Sequence, residues 1–344
     1  MRSVIRPSIP EDAPAITALL AERGLRPDTS RQALHWKYWL PRADFPEPRS
    51  FVNLRGDRLV AHAALIPGAF RGANGRQSTA HVIDWVARSG DWGAGTTLMK
   101  HVGQQVESLL AIGGSDDTLR ILPHLGFRRS EVVKGYVRPL HSLQILRSQP
   151  LSSRLPARLL RSLIWKYSVR GAQATEWQIY PVTGGEDLVR VSGIFAAVPA
   201  GVTLLERSIE LLAYVLACPS VPMRLFIVGN SQRTKGYFLL AFAQAQVRLV
   251  DWWMDSNAQS DLRALIGCAV RQAMLDHQAA ELVVWGSDPE FEHALVNCGF
   301  HARYNMLVQI RPTDGATLPR APLRLNMLDN DAAYLSEEKI QLWA

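Results

Sequence analysis

His81-Val82-Ile83-Asp84-Trp85-Val86-Ala87-Arg88-Ser89-Gly90-Asp91-Trp92-Gly93-Ala94-Gly95-Thr96-Thr97-Leu98 reads as a strand, a glycine-bearing turn and the start of a helix. The β-branched and aromatic residues of His81–Val86 favour an extended chain. Gly90 to Gly95 breaks it, and a helical stretch follows from about Thr96 to Glu107. Glycines at such a junction let main-chain N–H groups approach an anion without a Cβ in the way. A helix N-terminus adds about half a positive charge and several unpaired donors. The stretch is therefore either a diphosphate cradle or a plain turn with a helix cap, and glycine spacing alone does not choose between them.

The flanking segments fix the architecture. Val4–Arg6 reads as a strand, and Pro10-Glu11-Asp12 opens a helix with Ala15, Ile16, Leu19 and Leu20 on one face, closed by Gly24. A second helix over Ser30–Trp39 has Ser30 as its cap. Phe51–Leu54 and Leu59–Ile66 form a hairpin about Gly56-Asp57. Beyond the glycine turn come a buried strand, Leu109–Ile112, then Gly113-Gly114-Ser115-Asp116 and a short helix ending at Leu125-Gly126-Phe127. This order gives the fold class α/β, or α+β layered: a mixed, mostly antiparallel sheet flanked by helices, not a doubly wound parallel sheet.

The second half repeats the order. Val82-Ile83-Asp84-Trp85-Val86 is echoed by Leu249-Val250-Asp251-Trp252-Trp253, Gly114-Ser115-Asp116 by Gly286-Ser287-Asp288, and Gly126-Phe127 by Gly299-Phe300. Three echoes in one order predict a duplicated domain, with residues 1–140 as one copy and 176–312 as the other. Residues 141–175 make a basic linker and 313–344 a tail expected to lie across a domain surface. Between Asp255 and Leu262 the second copy has no glycine, so its side chains would fill the space a diphosphate needs.

Composition narrows the class. With 344 residues, 47% of them hydrophobic, the chain can bury two cores. Cys218, Cys268 and Cys298 have no metal-ligand spacing and are expected to be reduced core thiols, with no metal bound. The opening residues lack a signal-peptide pattern, and Leu211–Val228 is broken by Pro219, Pro222 and Arg224, so a cytoplasmic protein is expected. A net charge of +7 suits an anionic ligand, but no basic block interleaved with stacking aromatics points to nucleic acid. Residues 155–169 place Leu159, Leu160, Leu163, Ile164 and Tyr167 at helical spacing among basic residues. Such a segment is either a linker helix or a peripheral contact with an anionic membrane.

Together these features resemble the GNAT superfamily of acyl-CoA-dependent N-acyltransferases. The resemblance spans both halves and rests on the Ile5-Arg6-Pro7 strand before an acidic helix start, the hairpin, the strand into a glycine loop and the closing Leu125-Gly126-Phe127. It implies acetyl-CoA as acyl donor, with the diphosphate on Gly90, Gly93, Ala94, Gly95, Thr96 and Thr97. The pantetheine arm would lie along Val86 and Ala87. It also implies a base on the same strand, for which Asp84 is the candidate; a hydrogen-bonded structural aspartate is the alternative. Gly90 stands where the family usually has Gln or Arg. Leu122, and Leu295 in the second copy, stand where many members carry a tyrosine acid. Ser115 and Asp116 are the nearest polar substitutes, and His124 is a further one. A thiolate with a pKa of about 8.5 leaves with little acid help.

The resemblance implies transfer to a primary amine, a small molecule or a saccharide. Tandem proteins of this look resemble ones associated with bacterial surface-polysaccharide production, which suggests an amino sugar. The competing reading is a catalytically silent module that binds CoA or a protein partner. The helix His35-Trp36-Lys37-Tyr38-Trp39 either borders an acceptor pocket with its aromatics or is a core helix with Lys37 reaching to solvent.

Overall fold

The computed structural model describes residues 3–25, 30–72, 75–144, 160–161, 163–165, 177–195, 201–229, 233–313, 316, 318, 322–335 and 342–343. The chain forms two units, Met1–Glu131 with Leu307–Ala321, and Val132–Met306 with Pro322–Ala344.

In unit 1, β1 (Ser3–Pro7), β2 (Ser50–Arg55), β3 (Arg58–Gly72) and β4 (Gly75–Ala87) pair antiparallel in that order. β4 then runs parallel to β5 (Ser108–Ile112) through Thr79–Ser108, Ala80–Leu109 and His81–Leu110. The far side of β5 takes Val308–Pro312, the end of β13 (His301–Pro312), antiparallel. Alternate side chains of the sheet enter two cores, as the pleat requires. One gathers Phe51, Val60 and Leu65 with Leu98, Met99 and Val102 of α3 (Ala94–Val102). The other gathers Val52, Leu59 and Ile83 with Ile16, Leu19 and Leu20 of α1 (Ala13–Glu22). Each fully buried leucine or isoleucine there contributes about 1.5–3 kcal/mol. Ala15 is exposed, so the apolar face of α1 is narrower than the sequence implies.

Ser30 caps α2 (Arg31–Leu34) by accepting the Ala33 N–H at 3.0 Å, as expected, and α2 runs into a π-helical turn over His35–Trp39. Helix α3 ends at Gly103 rather than reaching Glu107. The Glu107 carboxylate instead accepts the Ser78 N–H at 2.6 Å.

In unit 2, β7 (Gln178–Pro181), β9 (Met223–Gly229), β10 (Thr234–Ala243) and β11 (Gln246–Met254) pair antiparallel in that order. β11 runs parallel to β12 (Glu281–Gly286), and β12 pairs antiparallel with Lys134–Pro139 of β6 (Arg128–Pro139). Helices α5 (Gly185–Phe195), α6 (Ile209–Leu216), α7 (Gln259–Met274) and α8 (Pro289–Asn297) complete it. Cys218, Cys268 and Cys298 are free thiols and buried.

Two boundaries differ from the sequence reading. A cut at Leu140 fails because most of β6 pairs inside unit 2 and the end of β13 pairs inside unit 1, so each unit draws its closing strand from the other half of the chain. Residues 322–335 of the tail are not a surface strap either. Leu323, Leu325, Met327 and Leu328 are 1–2% exposed, and β14 (Leu323–Arg324) runs parallel to β8 (Thr203–Leu205). The proposed basic amphipathic helix over 155–169 lies mostly outside the described residues; within it Leu160, Leu163 and Ile164 are exposed. Among the described residues no helix is long and apolar enough to cross a membrane.

Candidate functional site

The glycines of the turn divide the work of shaping it. Gly90 and Gly93 sit at φ +85° and +78°, the left-handed region that glycine tolerates without strain. Gly93 is the N-cap of α3 and offers no side chain to the helix. Gly95 is needed for a different reason. A Cβ there would lie 3.1 Å from the Ala87 Cβ and 3.4 Å from the Trp85 indole nitrogen. Its carbonyl accepts that indole N–H at 3.0 Å, while the Ala94 carbonyl accepts from the Asn53 amide at 3.1 Å. The first turn of α3 is thereby pressed onto β2 and β4.

The turn's donors can then be accounted for one by one. The Ala94 N–H donates to the Asp91 carbonyl at 3.2 Å and the Thr97 N–H to the Gly93 carbonyl at 2.9 Å. The hydroxyls of Thr96 and Thr97 also turn back to the Gly93 carbonyl, at 3.0 and 2.8 Å. Among the described residues nothing accepts the N–H of Gly95 or of Thr96. Beside them Arg55 donates to the Trp92 carbonyl at 3.1 Å and pairs with Asp91 at 2.9 Å, and Arg58 pairs with the same carboxylate at 2.8 Å. Trp92 is 90% exposed.

Upstream, β4 separates from β5. Their ladder ends at His81–Leu110, while β4 stays paired with β3 as far as Ala87. His81 sits at the fork, where its Nε2 accepts the Ile112 N–H at 3.3 Å. Val86 and Ala87 lie on the separated part of β4. The bulge between His62 and Ala64 gives β4 one extra residue, and Asp84 takes φ +49° there. Apart from Asp84, Gln244 is the one non-glycine residue with positive φ among those described.

The Asp84 carboxylate is not free. Its Oδ2 accepts from the Tyr38 hydroxyl at 2.7 Å and lies 2.6 Å from the Lys37 Nζ, both from the π-helical turn. Burial by itself would push this carboxyl up. The Lys37 ammonium and the two donors outweigh burial and hold it below the usual carboxylate range. Among the described residues no hydrogen bond falls on Oδ1. His62 holds the strained main chain, with Nδ1 3.1 Å from the Asp84 carbonyl and Nε2 3.0 Å from the Ser50 hydroxyl. Ser50 accepts from Ser8, and Ser8 from the Trp39 indole. Burial pushes His62 down to about 4 and His81 down to about 3, so both imidazoles are neutral at pH 7.

The helix His35–Trp39 therefore does more than fill the core. Trp36 and Tyr38 are buried, and Lys37 ends on Asp84 instead of reaching into solvent. Sequence spacing gave no sign of this pair. Ser115 and Asp116 are at the surface: Ser115 caps α4 (Asp116–Ile121) through the Thr118 N–H at 3.2 Å, and Asp116 is exposed on its first turn. No hydrogen bond among the described residues links either to Asp84 or to the glycine turn, so the geometry does not gather them into the site. Leu122 and Leu295 are buried core residues. Among the described residues no group of three or more His, Cys, Asp or Glu is gathered closely enough to hold a metal ion.

Unit 2 also has a bulge beside the echoed aspartate, between Leu249 and Asp251 opposite Leu239–Leu240, but Asp251 itself stays paired with Leu239 and is used differently. Asp251 is fully buried. It is held by Arg207 at 2.9 and 3.0 Å, by the Tyr237 hydroxyl at 2.6 Å and by the Asn326 amide at 2.6 Å. The tail occupies the fork where β11 and β12 separate. The Leu325 N–H donates to the Ser287 hydroxyl at 2.7 Å, Asn326 donates to the Trp252 carbonyl at 3.4 Å, and Arg324 reaches both Asp288 and Asn257. The echoes of Asp84, Ser115 and Asp116 are thus consumed in packing the protein's own C-terminal segment.

No protein-family model matches the sequence, and no curated protein matches it. Solved structures do match its shape. A GCN5-related N-acetyltransferase from Anabaena variabilis superposes with a TM-score of 0.58 at 12% identity, over 90% of this chain and 73% of that one. One from Kribbella flavida gives 0.57 at 15%, over 91% and 71%. The N-myristoyltransferase of Saccharomyces cerevisiae, solved with bound myristoyl-CoA, gives 0.61 at 10%, over 99% and 89%. The chain has the fold of these N-acyltransferases.

Proposed function

We propose that unit 1 transfers an acyl group, acetyl in the simplest case, from coenzyme A to a primary amine, of which an amino sugar is one instance. The observation that carries this is the pair of unbonded N–H groups, Gly95 and Thr96, at the start of α3 beside the fork between β4 and β5. Two adjacent helix-terminal amides fit a diphosphate. The likeness to N-acyltransferases supports the same reading.

The residues then divide the work. Gly95 and Thr96 hold the diphosphate, and the separated main chain of Val86 and Ala87 lies beside the pantetheine arm. Asp84, at the bulge, takes a proton from the amine as it attacks the thioester carbonyl. Neither Leu122 nor an exposed Ser115 supplies a proton to the thiolate. The low basicity of a thiolate makes that tolerable.

Isothermal calorimetry with acetyl-CoA tests the donor site. Thr96→Pro removes one N–H at a first-turn position where proline is tolerated. It is expected to weaken binding about tenfold, the worth of one hydrogen bond to a charged group, at an unchanged melting temperature. No binding heat from the wild type would overturn the reading. Binding without thiol release over a panel of amines would leave a donor-binding module and remove catalysis.

A further inference from the structure

We infer that Lys37 and Asp84 together select an acceptor that carries an anionic group beside its amine, a zwitterion rather than a plain amine. The inference rests on acyl transfer at unit 1 and names the class of molecule that receives the group.

The charge inventory of the site leads there. Among the described residues, the side chains within reach of the Asp84 carboxylate are Lys37, Tyr38, His62 and His81. Tyr38 carries no charge, and both imidazoles are neutral. Among the described residues these side chains thus bring one cation and one anion to the site before substrate, with the Lys37 side chain 24% and the Asp84 side chain 14% exposed. An incoming ammonium has Asp84 Oδ1 to approach, because Lys37 and Tyr38 both occupy Oδ2. Two cations would then share one carboxylate where little water is left to screen them, and such an uncompensated charge is costly. A carboxylate or similar group on the acceptor, paired with Lys37, restores neutrality.

Unit 2 shows what a purely structural version of this site looks like. Asp251, the echo of Asp84, stands next to a bulge and its side chain is fully buried. Its cation is an arginine held through two contacts and fixed from behind by Asp329 at 2.8 Å. Asp84 instead has a lysine on a flexible stem, 2.6 Å from its Oδ2. Two irregular backbones bring that pair together, the π-helical turn that sets Lys37 and Tyr38 on one carboxylate and the bulge at φ +49°. Strain of this kind persists where the surroundings hold it and is concentrated at working sites.

The reaction balances without a further reagent. The nitrogen–carbonyl bond forms, the carbon–sulfur bond breaks, the thiolate keeps one proton from the ammonium, and Asp84 passes the second to solvent.

The test measures thiol release from acetyl-CoA with the common L-amino acids, each beside its methyl ester, and with glucosamine. At least one amino acid is expected to exceed its ester and glucosamine by tenfold or more in kcat/KM. Lys37→Met should remove that advantage by raising KM for the acid, and Lys37→Arg, which keeps the cation beside Asp84, should retain most of it. Equal rates for acid and ester, a preference for glucosamine, or no release with any amino acid in a protein that binds acetyl-CoA overturns the inference. Failure to bind acetyl-CoA is distinguishable, because it removes the acyltransfer reading itself and this inference with it.

Discussion

Arg207→Ala is expected to cost unit 2 about 3–5 kcal/mol, read as a fall in the denaturant midpoint with little change in slope. Arg207 is 7% exposed and is the cation shared by Asp251 and Asp329, at 2.9 and 2.8 Å. Taking it away leaves two carboxylates inside the protein, one fully buried and one 4% exposed. Even with the arginine present, burial pushes Asp329 up to about 6, against the pull of Arg207 and with the push of Asp251. A carboxyl raised in the folded state binds its proton more tightly there, so its contribution to stability falls as pH rises from about 4 to 6. The triple variant Arg207→Ala, Asp251→Asn, Asp329→Asn removes the orphaned charges and should recover part of the loss. If the single variant were as stable as wild type, the network would be an ornament. A chain ending at Ala321 tests the same centre from the other side. It lacks Asp329, Asn326 and Arg324 together with the buried Leu323, Leu325, Met327 and Leu328, and it should show no cooperative transition in unit 2.

The dependence of unit 2 on its tail was latent in the sequence. Leu323-Arg324-Leu325-Asn326-Met327 alternates apolar and polar with the period of a strand, but the prolines around it read as a surface tail. What the alternation could not tell was that both polar residues have acids waiting for them, Asp288 for Arg324 and Asp251 for Asn326. The glycine turn was the legible part, because helix termini and left-handed glycines follow from local chemistry. Even there the sequence treated Gly95 as room for a ligand, whereas its hydrogen faces Ala87 and Trp85. The echo of Asp84 in Asp251 said nothing of the bulge beside each and hid the difference in use. Lys37 and Asp84 are 47 positions apart, and a π-helical turn leaves no period to read, so no local pattern could join them. Exchange of the closing strands was invisible for a similar reason. Each half has a strand of the right kind at its end, and strand propensity does not say which sheet a strand joins.

Acidification to pH 5 is expected to remove about 4 kcal/mol of stability from unit 1, through His62 and His81. Both are buried, His62 with no exposed surface and His81 at 4%. Burial pushes them down to about 4 and about 3 against an ordinary value of 6.5. The sign follows from proton uptake. Below pH 6.5 the unfolded chain protonates both rings and the folded unit protonates neither, so stability is complete above that pH and is lost as pH falls toward the folded values. At pH 5 each ring costs about 2 kcal/mol by this linkage. Hydrogen exchange resolved by segment should show α1 and α3 losing protection between pH 6.5 and 5, while α7 holds, because the shifted carboxyl of unit 2, Asp329, moves the opposite way. His81→Gln keeps an acceptor for the Ile112 N–H without a titrating ring, and should halve the loss in unit 1. The same titration reaches the candidate site. His62 braces the Asp84 carbonyl at φ +49°, so a protonated ring forced out of its pocket would release the bulge that aims the carboxylate. Activity and α1 protection should therefore fall together across this range. A unit 1 equally stable at pH 5 and pH 7.5 would mean that the two rings are not held neutral, and the bracing of Asp84 by an uncharged His62 would have to be given up.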